Sequence, residues 1–144
     1  MRTRRVSFLA LGCASLILAA ACGRKASGGE NTGGAQSISV TDIDIGRSIN
    51  ADLTIKDNTA TFRPSDVVYA SVATEGSAPA TLGVRWIYND DEVIQKGDRE
   101  IRPTGPTRTE FHISNPGGFP AGRYRVEITL NGASAGTKEF EVKK

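Results

Sequence analysis

The chain has 144 residues, a formal net charge of +2, two cysteines and a single histidine. This length suits one domain together with a leader segment rather than two domains. One histidine, two cysteines and one methionine are too few metal ligands for a haem or copper protein. Two cysteines are also too few for a disulfide-rich miniprotein. Glycine accounts for 16 residues, which favours turns and flexible linkers over long helices.

The N-terminal segment has the pattern of a secretory leader. Three arginines lie within Met1–Arg5, an uncharged apolar run covers Val6–Ala21, and small residues come immediately before Cys22. A positive start, an apolar middle and a small-residue end are typical of a signal peptide. Because the cysteine follows the small residues directly, residues 1–21 resemble a bacterial lipoprotein signal. The resemblance implies cleavage after residue 21 and diacylation of the Cys22 thiol, which would anchor the protein in a membrane.

Other interpretations of the leader are an ordinary secreted protein, a membrane helix and a second cleavage site. Cleavage after Ala21 without lipidation stays open as an alternative. A membrane-spanning helix needs about 20 apolar residues, and this run is shorter. Cleavage before Cys13 would leave an apolar segment of only seven residues, Val6–Gly12, so we reject it.

Cleavage before Cys22 changes the chemistry of the mature chain. Cys13 leaves with the leader and Cys22 becomes a thioether, so we expect neither a free thiol nor a disulfide. Removing three leader arginines from 18 basic residues leaves 15 against 16 acidic residues, a net charge of −1. A nucleic-acid partner is therefore not expected. The glycine-rich stretch at residues 22–36 predicts a flexible tether.

From residue 37 onward, apolar residues recur with a period of two, which predicts β-strands. Five segments place apolar residues on one face and polar residues on the other, as in antiparallel sheets: Val68–Val72, Leu82–Tyr88, Phe111–Ile113, Tyr124–Leu130 and Phe140–Val142. Ile38–Ile45 is a weaker strand whose alternation shifts between Val40 and Ile43, which indicates either a β-bulge or a switch of the strand from one sheet to the other. Asn131 and Gly132 lie between two of the segments and predict a tight hairpin.

About seven short strands over residues 37–144 predict an all-β fold, an antiparallel immunoglobulin-like sandwich. The alternation directs Trp86, Tyr88 and Tyr124 into the core and directs Ile87 outward. A resemblance to immunoglobulin-like or fibronectin-like domains of bacterial envelope proteins rests on four segments: Phe62–Val72, Leu82–Tyr88, Gly118–Ile128 and Lys138–Val142. It implies that Trp86 is the core tryptophan and that Tyr124 forms a tyrosine corner. It says little about function, because this architecture serves many functions.

Residues that suggest catalysis lack the partners that such chemistry needs. Ser134 lies in a G-x-S-x-G pattern, but a nucleophile elbow needs an acid and a histidine further along the chain. The single histidine, His112, precedes Ser134. One histidine and no mature thiolate also cannot form a structural zinc site.

Two acidic segments are candidate calcium-binding segments. Asp42 and Asp44 begin like a Ca²⁺ loop, but the fifth position is Gly46 and the twelfth is Leu53 rather than glutamate. The segment Asp90–Glu92 would need further ligands from elsewhere, and we expect it to be a solvated turn. The sequence therefore predicts no resident metal or cofactor.

Aromatic residues outside the predicted core are candidates for a binding surface. Tyr69 is expected on an outward face and Phe119 in a loop, where together they would form an exposed patch. For Phe119, packing over the end of the sandwich is favoured over membership of such a patch. His112, between two apolar neighbours, is expected to point to solvent.

These patterns favour a lipid-anchored cell-envelope protein, held through Cys22, with a non-catalytic binding, adhesion or assembly role alongside another envelope protein. The alternative is a small-ligand or glycan-binding module. An exposed protein-facing patch would favour the first, and a concave aromatic pocket the second. An enzyme is disfavoured because no nucleophile–base pair is visible. In a cell with an outer membrane, the resemblance implies sorting to that membrane, since Gly23 replaces the aspartate that marks inner-membrane retention.

Overall fold

The alternating segments form β-strands in the structure, a computed structural model that describes residues 36–144. The expected leader, the lipidation site Cys22 and the tether up to residue 35 lie outside the described residues. In the part described there are eight strands: β1 (Ile38–Gly46), β2 (Thr61–Phe62), β3 (Val68–Gly76), β4 (Ala80–Tyr88), β5 (Glu92–Ile101), β6 (Thr107–Ile113), β7 (Gly122–Leu130) and β8 (Ala133–Val142). No helix in residues 36–144 has the length and apolar character needed to cross a membrane.

The strands form two sheets with an immunoglobulin-like arrangement. One sheet has the order β1-β3-β6 and the other has the order β2-β8-β7-β4-β5. Every pair is antiparallel except β2 with β8, which is parallel. β1, β3 and β6 correspond to strands A, B and E of an immunoglobulin fold, and β4, β7 and β8 to strands C, F and G. The predicted all-β, immunoglobulin-like fold class is therefore confirmed.

The core lies between the two sheets and is centred on aromatic side chains. Trp86 is fully buried, as expected for the core tryptophan, and its ring lies 6.1 Å from that of Phe140. Phe140 also contacts Phe62 and Tyr124, each with a ring separation of 5.2 Å. The indole Nε1 of Trp86 has no hydrogen-bond partner within residues 36–144.

Both predicted irregularities of the backbone are present. The pairing of β1 with β3 shifts register between Val40 and Asp42, which is the bulge expected from the broken alternation. β7 and β8 are joined by Asn131 and Gly132, whose φ angles are 51° and 82°. Two consecutive residues with positive φ define the hairpin turn that Asn-Gly favours.

The strand β4 departs from its predicted pattern at Ile87 and Tyr88. Ile87 was expected to point to solvent, but it is only 1% exposed. On the outward face its cross-strand neighbours are Val93 and Arg125, and the aliphatic stem of an arginine can cover apolar surface. Tyr88 was expected in the core but is half-buried, because it is the last residue of its strand and adjoins a turn.

Candidate binding site between strands β5 and β6

The structure does not bring the residues considered for catalysis together. Ser134 lies on β8 opposite Thr129 and is exposed. His112 lies on β6, in the other sheet, and its Nδ1 is 2.5 Å from an Oε1 atom of Glu110. The ring of His112 also packs 5.5 Å from that of Tyr69. The side chain of His112 is exposed to solvent, as predicted.

The acidic residues of β1 face an arginine. Asp42 and Asp44 lie 3.7 and 3.4 Å from the guanidinium group of Arg108. Nη1 of Arg108 also donates a 3.0 Å hydrogen bond to the buried hydroxyl of Ser71. One guanidinium of the protein itself therefore pairs with both carboxylates and offsets one of their two negative charges. Asp90 and Asp91 lie in an exposed turn between β4 and β5, and Glu92 is the exposed first residue of β5. Residues 36–144 contain no cluster of three or more potential metal ligands.

Two strands that end their sheets lie on the same side of the sandwich. β6 is the last strand of the three-stranded sheet and β5 the last of the five-stranded sheet. The guanidinium carbon of Arg99 on β5 lies over the ring of Phe111 on β6, 5.4 Å from its centroid. We call the surface between these strands the β5–β6 cleft; it is bordered by residues 92–101 and 107–115.

One end of the β5–β6 cleft opens into a pocket of about 460 Å³. Its lining is partly apolar. The contributing residues come from β5, from the end of β6, from the segment before β7 and from β7 itself: Ile94, Gln95, Ile113, Phe119 and Tyr124. Small-molecule and anchor-residue pockets have volumes of roughly this size and are mostly apolar. The cleft therefore contains a cavity large enough for a side chain of a partner.

The tyrosine corner forms the inner wall of this pocket. The ring of Tyr124 packs 4.7 Å from Tyr88 and 6.0 Å from Phe119. Burial, followed by the nearby Tyr88 and Glu92, raises the pKa of Tyr124 to about 12. Phe119 is only 6% exposed, so it packs over the end of the sandwich, as the sequence favoured, and it does not form an exposed patch with Tyr69.

Strand β5 supplies the exposed apolar surface beside the pocket. Val93 and Ile94 are the large apolar side chains that are exposed in the part of the chain described here, at 42% and 39%. Trp86 pairs with Gln95 and Ile87 pairs with Val93, so Ile94 is an extra residue in a β-bulge. The bulge places Ile94 at the pocket.

Strand β5 was not predicted from the sequence because it is exposed on both faces. Nearly every residue of Glu92–Ile101 is exposed, so polar residues occur on both sides and no alternation results. The turn at Asn89–Asp91 could have indicated β5, since a tight turn after one antiparallel strand is usually followed by a second strand. β2 was missed because it has only two residues.

The other end of the β5–β6 cleft is basic. Arg99 and Arg102 line a depression of about 300 Å³ together with Thr107 and Thr109. Neither arginine makes an ion pair within residues 36–144, whereas Arg108, which also lines the depression, is paired with two aspartates. Two guanidinium groups without carboxylate partners in the described chain are suited to bind an anionic group.

A larger depression of about 500 Å³ lies on the outward face of the five-stranded sheet. It is lined by charged residues that are already matched across strands. Arg123 lies opposite Glu141, and Arg125 lies opposite Glu139. Because opposite charges face each other there, this depression has less to offer a charged ligand than the β5–β6 cleft does.

The chain forms an immunoglobulin-like domain in which the β5–β6 cleft separates the last strands of the two sheets. No protein-family model matches the sequence, and no curated protein matches it significantly. Among solved structures, a β-glucosidase from Listeria innocua in complex with glucose is 8% identical, with a TM-score of 0.50; the match covers 76% of this chain and 16% of that one.

Two further structures have lower TM-scores. An alkylpurine DNA glycosylase, AlkC, from Pseudomonas fluorescens is 15% identical over 76% of this chain and 31% of that one, with a TM-score of 0.49. An immunoglobulin-like protein from Pseudomonas aeruginosa is 17% identical over 76% of this chain and 100% of that one, with a TM-score of 0.46. The chain thus spans less than a third of the glycosylase and about a sixth of the glucosidase. At such low identities, similarity concerns the fold alone.

Proposed function

We propose that this chain is a lipid-anchored cell-envelope protein, held through Cys22, whose domain binds a protein partner without catalysis. The β5–β6 cleft is the binding surface. The observation that carries this proposal is the exposure of Ile94 on a sheet edge, where it lines a pocket. Its neighbour Val93 is also exposed, on the outward face of the same strand. Exposed apolar side chains grouped at a concave surface are typical of protein interaction sites, and a sheet edge offers unpaired backbone groups.

The nature of the exposed side chains supports a protein partner over a glycan. A sugar ring stacks on an aromatic ring whose face is open to solvent. In the pocket, Phe119 and Tyr124 are 6% and 2% exposed. The Tyr124 ring meets Phe119 edge to face, is tilted against Tyr88 and stacks on Phe140. The large apolar side chain that remains exposed at the pocket is that of Ile94, and an aliphatic side chain suits an apolar residue of a protein.

The proposed anchor restricts where the partner lies. The leader pattern before Cys22 supports lipidation, with the outer membrane as the proposed destination in cells that have one. As a flexible coil, residues 22–36 would have a reach of about 20 Å. The partner would therefore be an envelope protein that exposes its binding segment close to the membrane surface.

Chemical crosslinking in intact cells tests this proposal. The double variant Val93→Ser/Ile94→Ser removes both exposed apolar side chains, and we expect it to lose most of the crosslinked product. The matched control is Tyr69→Ser, which removes a half-buried ring from the other sheet and should crosslink as the unchanged protein does. Circular dichroism confirms that both variants fold. An undiminished product with the folded double variant would refute the β5–β6 cleft as the binding surface.

A further inference from the structure

We infer that the β5–β6 cleft binds an extended segment of the partner that carries an apolar side chain and, four residues away, a carboxylate. The apolar side chain occupies the pocket at Ile94, and the carboxylate binds Arg99 and Arg102. This inference rests on the proposed function, because it names the kind of protein segment that the cleft would take.

The backbone of β5 supports binding of an extended segment. β5 pairs with β4 on one side only, and it ends the five-stranded sheet. Its other edge therefore presents N–H and C=O groups that an added strand can pair with. The bulge at Ile94 interrupts the strand, so pairing is confined to the part from Gln95 to Ile101, and the incoming chain would leave the edge at the pocket.

The two ends of the β5–β6 cleft differ in chemistry. Ile94, Ile113 and Phe119 make the pocket end apolar, with Glu92 at its margin. Arg99 and Arg102 make the other end cationic, and the contact with Phe111 fixes the position of the Arg99 guanidinium. A negative charge near Glu92 would be repelled, whereas one near Arg99 would be attracted. This charge pattern favours an acidic residue at the far end and selects one orientation of the segment.

The distance between the pocket and Arg99 sets how far apart the apolar and the acidic residue lie in the partner segment. Gln95 and Arg99 lie opposite Trp86 and Leu82, two core residues, so both are on the cleft side of β5. They are four residues apart, which corresponds to about 13 Å along a strand. A segment paired with β5 rises by the same amount per residue. Its apolar and acidic residues should therefore be four positions apart and on one face.

Gly97 lies between these two residues and keeps the cleft open. It pairs with the core residue Val84, so a side chain at this position would point into the cleft. A Cβ atom added to Gly97 would meet only Cγ1 of Val84, at 3.9 Å, which is an ordinary contact. Gly97→Thr should therefore fill the cleft without disturbing the fold.

Peptide binding measured by fluorescence anisotropy tests the inference on the full-length protein in detergent micelles. The probe is a labelled ten-residue synthetic peptide, rich in threonine, with a leucine and a glutamate four positions apart. Two control peptides replace the leucine by serine or the glutamate by glutamine. We expect each replacement to weaken binding by about tenfold, the loss expected for one charged hydrogen-bonded contact or one apolar anchor.

Variants of the protein locate the contacts. Arg99→Gln should weaken binding of the glutamate peptide about tenfold and leave binding of the glutamine peptide unchanged, and Arg99→Lys should restore part of the loss. Gly97→Thr should abolish binding of all three peptides. Peptides that bind equally well whatever their leucine or glutamate would overturn the inference. If crosslinking in cells depends on Val93 and Ile94 but none of the peptides binds, the extended acidic segment is refuted while the proposed function stands.

Discussion

The hydroxyl group of Tyr124 donates a 2.7 Å hydrogen bond to the carbonyl oxygen of Pro120, four residues earlier in the chain. This bond ties the segment before β7 to the strand itself. The same segment is held by a hydrogen bond from the backbone N–H of Phe119 to the carbonyl oxygen of Pro64, at 2.8 Å. Phe119 is thereby fixed as a wall of the pocket at the end of the β5–β6 cleft.

Removal of the Tyr124 hydroxyl should destabilise the domain without emptying its core. We expect Tyr124→Phe to lower the free energy of unfolding by about 1–1.5 kcal/mol, the usual net value of a hydrogen bond. Tyr88→Phe is the matched control, because its hydroxyl makes a longer bond of 3.3 Å to the carbonyl oxygen of Ala121 and should matter less. Urea unfolding measures both. A greater loss in Tyr88→Phe would contradict this account of the tyrosine corner.

The raised pKa of Tyr124 predicts a loss of stability in alkali. The unfolded chain releases the phenolic proton near pH 10, whereas the folded chain holds it until about pH 12. The stabilisation from this group is therefore complete below pH 10 and falls as the pH rises from about 10 to about 12. The difference in unfolding free energy between the unchanged protein and Tyr124→Phe should shrink over that range. A difference that stays constant with pH would show that the hydroxyl titrates normally.

Trp86 should contribute strongly to stability, because its side chain is the largest that is fully buried in residues 36–144. Trp86→Ala removes a fully buried side chain, and we expect a loss of about 3–5 kcal/mol, much of the roughly 5–15 kcal/mol that holds a domain folded. Trp86→Phe should cost less, since it also removes a buried N–H that has no partner in residues 36–144. Denaturant unfolding gives both values. A loss below about 1 kcal/mol in Trp86→Ala would contradict its place in the core.

The sequence predicted strands that have one buried face and missed those that do not. β7 alternates strictly because Tyr124, Val126 and Ile128 face the core, and the Asn131-Gly132 turn fixes its pairing with β8. β5 has no buried face, so its sequence carries no periodic signal.

The β5–β6 cleft could not be predicted from the sequence either, because its position depends on the order of the strands in both sheets. The cleft depends on β5 ending one sheet while β6 ends the other, and this arrangement is set by long-range pairing. Arg99 and Phe111 are 12 positions apart in the chain, and only the topology places one over the other. The tyrosine corner was predictable because Tyr124 and Pro120 are close in sequence.

The proposed anchor depends on one thiol. Cys22→Ser should prevent acylation and also block removal of the leader by the lipoprotein peptidase, because both reactions need that thiol. Metabolic labelling with a fatty-acid analogue measures the first, and the mass of the isolated protein measures the second. The matched control is Cys13→Ser, which lies within the leader and should leave both unchanged. Equal labelling of Cys22→Ser and the unchanged protein would refute the anchor.

Site-specific photo-crosslinking in intact cells tests the β5–β6 cleft most directly. A photoreactive amino acid is placed at Ile94, beside the pocket, or at Ser39, an exposed residue of β1 in the other sheet. We predict that position 94 yields one discrete protein adduct and that Gly97→Thr abolishes it, while position 39 yields none. An adduct from Ser39 alone, or an adduct from Ile94 that persists with Gly97→Thr, would contradict the cleft as the binding surface.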